Sequence, residues 1–148
     1  MRALRAAVVL AVLAADRATK IWAARELRFR GPIRLLPFFD LSFAQNTGAS
    51  FGLGAGANRF FAVVSAALIA LLLRQLARWP KENVWLQAGG ALVLAGALGN
   101  LYDRLAYGSV VDFLDVHRFA VCNLADWSIS AGAVMLAWGL RDGRTALA

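Results

Sequence analysis

Four apolar runs, at 6–15, 60–73, 84–102 and 127–140, alternate with short charged segments, and this limits the fold more than any other feature of the chain. A helix crosses a bilayer's hydrocarbon core with about 20 apolar residues. With flanking side chains that snorkel, the runs predict spans at 4–24, 58–77, 84–102 and 123–140. The expectation is an all-α polytopic membrane protein with four transmembrane helices. Composition agrees, because 60% of the 148 residues are hydrophobic, above the share in an ordinary soluble domain. The formal charge of +7 comes from 16 basic residues that flank the apolar runs and form no basic stripe with interleaved aromatics. They read as membrane anchors, and no nucleic acid partner is expected. The one cysteine, Cys122, cannot form an internal disulfide. At this length the chain is a single domain, 1–148, expected to work as a monomer.

The N-terminus imitates a secretory signal peptide, with Arg2 and Arg5, an apolar run, then Ala14 and Ala15. The helical pattern nevertheless continues through Thr19, Ile21 and Trp22. Asp16 and Lys20, four apart, share a face and can pair, as charges within a membrane usually must. The segment is read as a retained first helix. In the third run Gln87, Ala91, Ala95, Gly99 and Asp103 step by four, and such ridges of mostly small residues let membrane helices approach closely. Trp79, Trp85, Trp127 and Trp138, near span ends, read as interface anchors.

The segment 25–57 has a different texture. Gly31, Pro32 and Pro37 punctuate it, and Phe39, Leu41 and Phe43 alternate with Asp40, Ser42 and Ala44, the period of a short strand. Asn46 to Gly52 follows as a turn, and glycines at 52, 54 and 56 as a flexible lead into the next span. A small β-rich element on the membrane surface is expected, on the same side as 103–122. Both termini and the loop near 78–83 lie on the other side. Basic residues divide too evenly between the sides to orient the chain.

Four of the nine acidic residues fall between 103 and 126, where the chain leaves and re-enters the apolar slab. Asp126 sits in the first turn of the predicted fourth helix, and Asp112 on the segment before it. Two carboxylates in one poorly solvated site share a proton. One can then accept a proton from water while the other donates to a carbonyl oxygen. Asp126 also has a structural reading, since Asn123 as N-cap with Asp126 three residues on resembles a capping box. That reading leaves Asp112 unexplained. Asp103 and Arg104 read as a structural pair at a helix end, with Arg104 alternatively meeting a lipid phosphate or fixing a loop. Asn46 and Asn100 either cap backbone or orient a substrate carbonyl. Gly48 and Gly108 supply turns. Asp112, Asp115 and His117 lie close enough in sequence to raise a metal site, on the thin support of one histidine. Cys122 reads as packing rather than as a nucleophile.

Together, Asp16-Arg-Ala-Thr-Lys20, Asn46-Thr-Gly-Ala-Ser-Phe-Gly52, Gly99-Asn-Leu-Tyr-Asp-Arg104 with Gly108 and Val110-Val-Asp-Phe113, and Asn123-Leu-Ala-Asp126 resemble the bacterial lipoprotein signal peptidase (type II signal peptidase) family in order and spacing. The resemblance runs from Asp16 to about Gly132. It implies four transmembrane helices in the bacterial cytoplasmic (inner) membrane, with cytoplasmic termini. It also implies a small extracytoplasmic β-cradle and a short connecting helix. The implied activity is that of an aspartic endopeptidase without metal or other cofactor, cutting prolipoproteins just before a diacylglyceryl-modified cysteine. Lipidated signal peptides and membrane lipids would be its partners. By match of motif, Asp112 and Asp126 take the catalytic places. Asp16, Lys20, Asn46, Gly48, Asn100, Asp103, Arg104 and Asn123 take supporting or substrate-contacting places. Cys122 stands where the family usually has Phe, Arg17 where it commonly has Gln, and Ser50 where it commonly has Ala.

Two other classes stay open. One is a small proton-coupled transporter that relays protons through Asp16, Lys20, Asp103 and Asp126, although no internal repeat of the transporter kind is visible. The other is a membrane scaffold whose acids only cap and pair.

Overall fold

The structure, a computed structural model, describes residues 2–48, 56–117 and 119–145. Along the chain it forms α1 (Arg2–Glu26), β1 (Ile33–Leu36), β2 (Phe39–Asn46), α2 (Asn58–Arg78), α3 (Val84–Tyr107), β3 (Val110–Val116), β4 (Ala120–Cys122) and α4 (Leu124–Thr145).

Helix α3 is the axis of the bundle, and α1, α2 and α4 each pack against it. Every residue of the small-residue ridge, from Gln87 through Ala91, Ala95 and Gly99 to Asp103, is buried. Its ends follow from local chemistry. Asn83 caps the start, its side chain accepting from Leu86 N at 3.1 Å while its amide donates to Gly139 O at 3.0 Å, which ties α3 to the end of α4. Gly108 closes the other end in the left-handed region, at φ 74°. Helix α2 stops at Trp79, which is extended because Pro80 follows it.

Helix α2 buries only Ala62, Ile69 and Leu76, and leaves Phe60, Val63, Leu68, Leu71 and Leu73 exposed. So much bare apolar surface on one helix calls for an apolar solvent. Helices α2 and α3 are each long and apolar enough to cross a membrane. Trp85, Trp127 and Trp138 are exposed near helix ends.

The four strands form one antiparallel sheet in the order β1-β2-β3-β4. It sits on the C-terminal end of α1, where Ala23 and Leu27 pack with Val111 and Phe113. The period-two reading of 39–44 is borne out and extends to Asn46, so Asn46 ends a strand rather than opening a turn. The turn begins in its side chain, where Oδ1 accepts from Gly48 N at 2.9 Å. Residues 49–55, with the Ala49–Gly52 part of that expectation, Ser50 and the glycines at 52 and 54, lie outside the described residues.

Among the described residues of 103–122 there is no separate helix, and the short connecting helix that the resemblance implies is not placed by them. Residues 103–107 continue α3, and the described residues after Gly108 form β3 and β4. The cause is local: glycine ends the helix, and Val110, Val111, Val116 and Val121 are β-branched, which suits a strand.

One irregularity matters for the site. Leu41 pairs with Leu114, but Ala44 pairs with Asp112, so β2 carries one residue more than β3 in that interval. A regular ladder would set Phe43 opposite Asp112 and turn Asn46 to the other face. The bulge instead places Asn46 and Asp112 diagonally on one face.

Candidate active site

Asp112 comes from β3 and Asp126 from the first turn of α4. One residue, Asn123, joins them. Asn123 Nδ2 donates to Asp112 Oδ1 at 2.7 Å, while Asn123 N donates to Asp126 Oδ2 at 3.3 Å. Asn123 Oδ1 accepts in turn from Asp126 N at 3.0 Å, completing the reciprocal capping box. The capping reading of Asp126 is therefore borne out. Its Oδ2 caps the helix, and its Oδ1 accepts from Asn100 Nδ2 at 2.8 Å inside the bundle.

Asn100 is oriented from the other side. Its Oδ1 accepts from Lys20 Nζ at 2.9 Å and from Asn123 Nδ2 at 3.2 Å, so its NH2 group must turn to Asp126. Lys20 is fully buried, with Asp16 Oδ2 at 2.8 Å and Asp103 Oδ2 at 2.9 Å. Asp16 Oδ1 accepts from Ala125 N at 3.0 Å, so the α1 carboxylate also serves the positive start of α4. A Cβ on Gly99 would lie 2.7 Å from Asp16 Oδ2, which is why the ridge needs glycine there.

Asp112 is completed from the sheet, where Asn46 Nδ2 donates to its Oδ2 at 3.0 Å. Burial pushes the Asp112 carboxyl up to about 6, against the two amide donors that favour its charged form and with the neighbouring Asp126 charge adding to the rise. Arg104 lies within electrostatic reach of both carboxylates. Its Nη2 donates to Gly48 O at 3.1 Å, and Asn58 Nδ2 donates to Arg104 O at 3.1 Å, so the end of α3, the end of β2 and the start of α2 meet there.

Asp103 and Arg104 were expected at a helix end, but α3 runs on to Tyr107 and Asp103 is buried within it. Lys20 and Arg17 explain how an acid is tolerated there. Arg17 Nη1 lies 2.5 Å from Asp103 Oδ1, and its guanidinium sits over the rings of Tyr102 and Tyr107, 5.5 and 5.2 Å from their centroids. Two carboxylates, Asp16 and Asp103, thus face two cations, Lys20 and Arg17. Sequence reasoning missed Arg17. Its signal was the count, since one lysine could not balance both acids.

The three residues raised as a metal site do not converge. Asp112 and Asp115, three apart on one strand, face opposite sides. The ring of His117 is 2.9 Å from Asp40 Oδ2. Among the described residues no group of three His, Cys, Asp or Glu side chains is placed to hold an ion. The Cys122 thiol is pushed up to about 11, chiefly by burial, which leaves it a poor nucleophile.

Asp126 lies on the walls of two cavities. One, of about 470 Å³, runs between α2, α3 and α4 past Leu68, Ile69, Ala97 and Ile129 to Asn100, Arg104 and Asp126. The other, of about 510 Å³, lies under β4 beside Phe119, Cys122, Trp127 and Ser130.

Comparison with known proteins matches residues 8–141 to the family model described as signal peptidase (SPase) II. The chain is 43% identical to a lipoprotein signal peptidase of Pseudomonas putida over 138 residues, 86% of this chain and 81% of that protein. It is 37% identical to one of Pseudoalteromonas translucida over 144 residues, 92% of this chain and 87% of that protein. Two solved structures of a bacterial membrane enzyme, obtained in meso, superpose with TM-scores of 0.86 and 0.84 at 26% and 27% identity. They cover 97% and 93% of this chain, and 91% and 92% of theirs.

Proposed function

The chain belongs to the signal peptidase II family, and from that premise we propose that it cleaves as an aspartic endopeptidase whose acting pair is Asp112 and Asp126. It is a membrane protease that removes signal peptides from prolipoproteins. The proposed substrate carries a diacylglyceryl-modified cysteine, and the cut falls just before it. The observation that carries the reading is Asn123 between the two carboxylates, its side-chain amide on Asp112 and its backbone N–H on Asp126, with Asp112 buried and Asp126 open to two cavities.

Chemistry follows from that arrangement. Each carboxylate disfavours ionisation of the other, and burial raises Asp112, so a proton shared by the pair is held by Asp112 in preference. The ionised carboxylate takes a proton from water as the water oxygen attacks the scissile carbonyl carbon. The protonated partner gives its proton to the carbonyl oxygen. The tetrahedral intermediate then collapses: the acid that took the proton from water gives it to the leaving nitrogen, the C–N bond breaks, and one hydroxyl proton of the intermediate returns to the other carboxylate, which restores the pair. Asn46, Asn100 and Asn123 hold both carboxylates in place, which saves reorganisation at the moment of reaction. The apolar walls of the α2–α3–α4 cavity suit a signal peptide's hydrophobic segment, and Arg104 is placed to meet a substrate carbonyl at its end.

The proposed setting is the bacterial inner membrane, with α1 and α4 crossing beside α2 and α3, both termini cytoplasmic, and the sheet and acid pair at the outer face. A transporter reading finds no support. The family and the similar proteins are those of a peptidase.

The test is cleavage of a diacylglyceryl-modified prolipoprotein by purified protein, with and without chelator. Asp112→Asn and Asp126→Asn are each expected to fold and to lose about 10²–10⁴-fold or more in rate, the usual worth of a positioned acid or base. Cleavage by either variant at the parental rate would refute the assignment, and loss of parental activity with chelator would point to a metal.

A further inference from the structure

At the end of the bundle away from the acid pair, α1 and α2 stand apart over α3. Helix α1 packs on α3 and α4, whereas the main partner of α2 is α3. The gap between them is a cleft of about 550 Å³, within the ~300–1,000 Å³ usual for ligand sites. Its walls are Val9 and Leu10 on α1 and Leu73 and Leu76 on α2, over a floor of Ala91 and Leu94. Leu10 and Leu73 at its mouth are more than half exposed, so the cleft is open to whatever surrounds the bundle.

Its polar lining has one sign. Arg5 and Lys81 are its charged residues, and no carboxylate lines it. Arg5 Nη1 donates to Leu76 O at 3.1 Å across the cleft, and a guanidinium carries further N–H groups that can meet a second acceptor. Arg5 is fifteen residues from Lys20, about 22 Å along α1 at 1.5 Å per residue, so the cleft is remote from the acid pair. An apolar slot with two cations at one end matches an acyl chain joined to a phosphate. Trp79 lines both this cleft and the cavity that leads to Asp126.

We propose that the cleft between α1 and α2 binds one anionic phospholipid, its acyl chain over Ala91 and Leu94 and its phosphate between Arg5 and Lys81. The lipid fills the space that α2 leaves against α1 and steadies the helix that walls the cavity beside Asp126. The site rests on the protein's membrane setting and not on its peptidase chemistry.

The experiment is native mass spectrometry of the purified protein, titrated in detergent with phosphatidylglycerol or with phosphatidylcholine of the same chains. The wild type is expected to retain one phosphatidylglycerol at a concentration at least about tenfold lower than phosphatidylcholine, as two basic side chains near a headgroup contribute. The Arg5→Gln/Lys81→Gln variant is expected to retain the two lipids alike. Ala77→Phe, which fills the cleft wall, is expected to lower retention of both. Chain-free glycerophosphoglycerol is expected not to displace the bound lipid. No headgroup preference in the wild type, a preference that survives in the charge variant, or displacement by the chain-free headgroup would overturn the site. The charge variant changes partly or fully exposed side chains, so it serves even where Ala77→Phe does not fold. Because the readout is lipid retention, loss of the site and loss of the peptidase assignment are distinguishable.

Discussion

Asp112 feels opposed influences, since Asn46 and Asn123 favour its ionised form while burial and Asp126 favour its neutral one. Burial wins, so the folded protein holds this proton more tightly than the unfolded chain does. Its contribution to stability therefore falls as pH rises from the ordinary value of 3.8 to about 6, and is level above that. Carbon-13 NMR of labelled aspartate is expected to show a carboxyl titrating near 6. In Asp126→Asn, Asp112 is expected to titrate lower, because the neighbouring negative charge is gone. An unmoved titration would mean that the two acids do not share a site. Lys20 poses the inverse problem, a fully buried cation surrounded by acceptors. Lys20→Met leaves two buried carboxylates facing Arg17 alone and is expected to cost about 3–5 kcal/mol, the usual effect of removing one partner of a buried pair. Arg17→Gln is expected to cost less, since its side chain is 32% exposed. Thermal unfolding in detergent reads both.

Among the elements, the short sheet decides the geometry of the pair. The extra residue of β2 turns Asn46 toward Asp112, so deleting Ser42 is expected to restore a regular ladder and face Asn46 away. Cleavage should then fall by about 10²-fold, the cost of a small misplacement at a reacting centre, with helical circular dichroism unchanged. A deletion variant that cleaves normally would remove the bulge from the account. Gly108 is the other hinge of this region. Gly108→Val places a β-branched residue at φ 74° and is expected to lose about 1–2 kcal/mol of stability, measured by thermal unfolding.

For the whole molecule, the bundle is asymmetric. Helix α3 is enclosed by its neighbours, whereas α2 leans on it with most of its apolar surface bare. A loosely held wall suits the proposed binding of a signal peptide in the cavity that α2 lines. Ala97→Trp narrows the cavity between α2, α3 and α4 without touching the carboxylates. It is expected to raise KM for the lipidated precursor several-fold and to change kcat less, as loss of ground-state binding does. A drop in kcat at unchanged KM would mean that the apolar segment lies elsewhere.

Much of this was legible in the chain itself. The apolar runs, the ridge from Gln87 to Asp103, the Asp16–Lys20 pair, the strand from Phe39 and the capping box at Asn123 all follow from spacing, because each is a property of neighbours a few residues apart. The ordered motifs carried the family. Tertiary structure alone decided that Asp103 is buried within α3, because the cations that pair with it come from α1, with Arg17 86 residues away in sequence. It also decided that a bulge phases Asn46 onto Asp112, and that Asp16 reaches Ala125, 109 residues on. Hydrogen bonds and ion pairs across such distances depend on how the elements dock, and local periodicity carries no record of that.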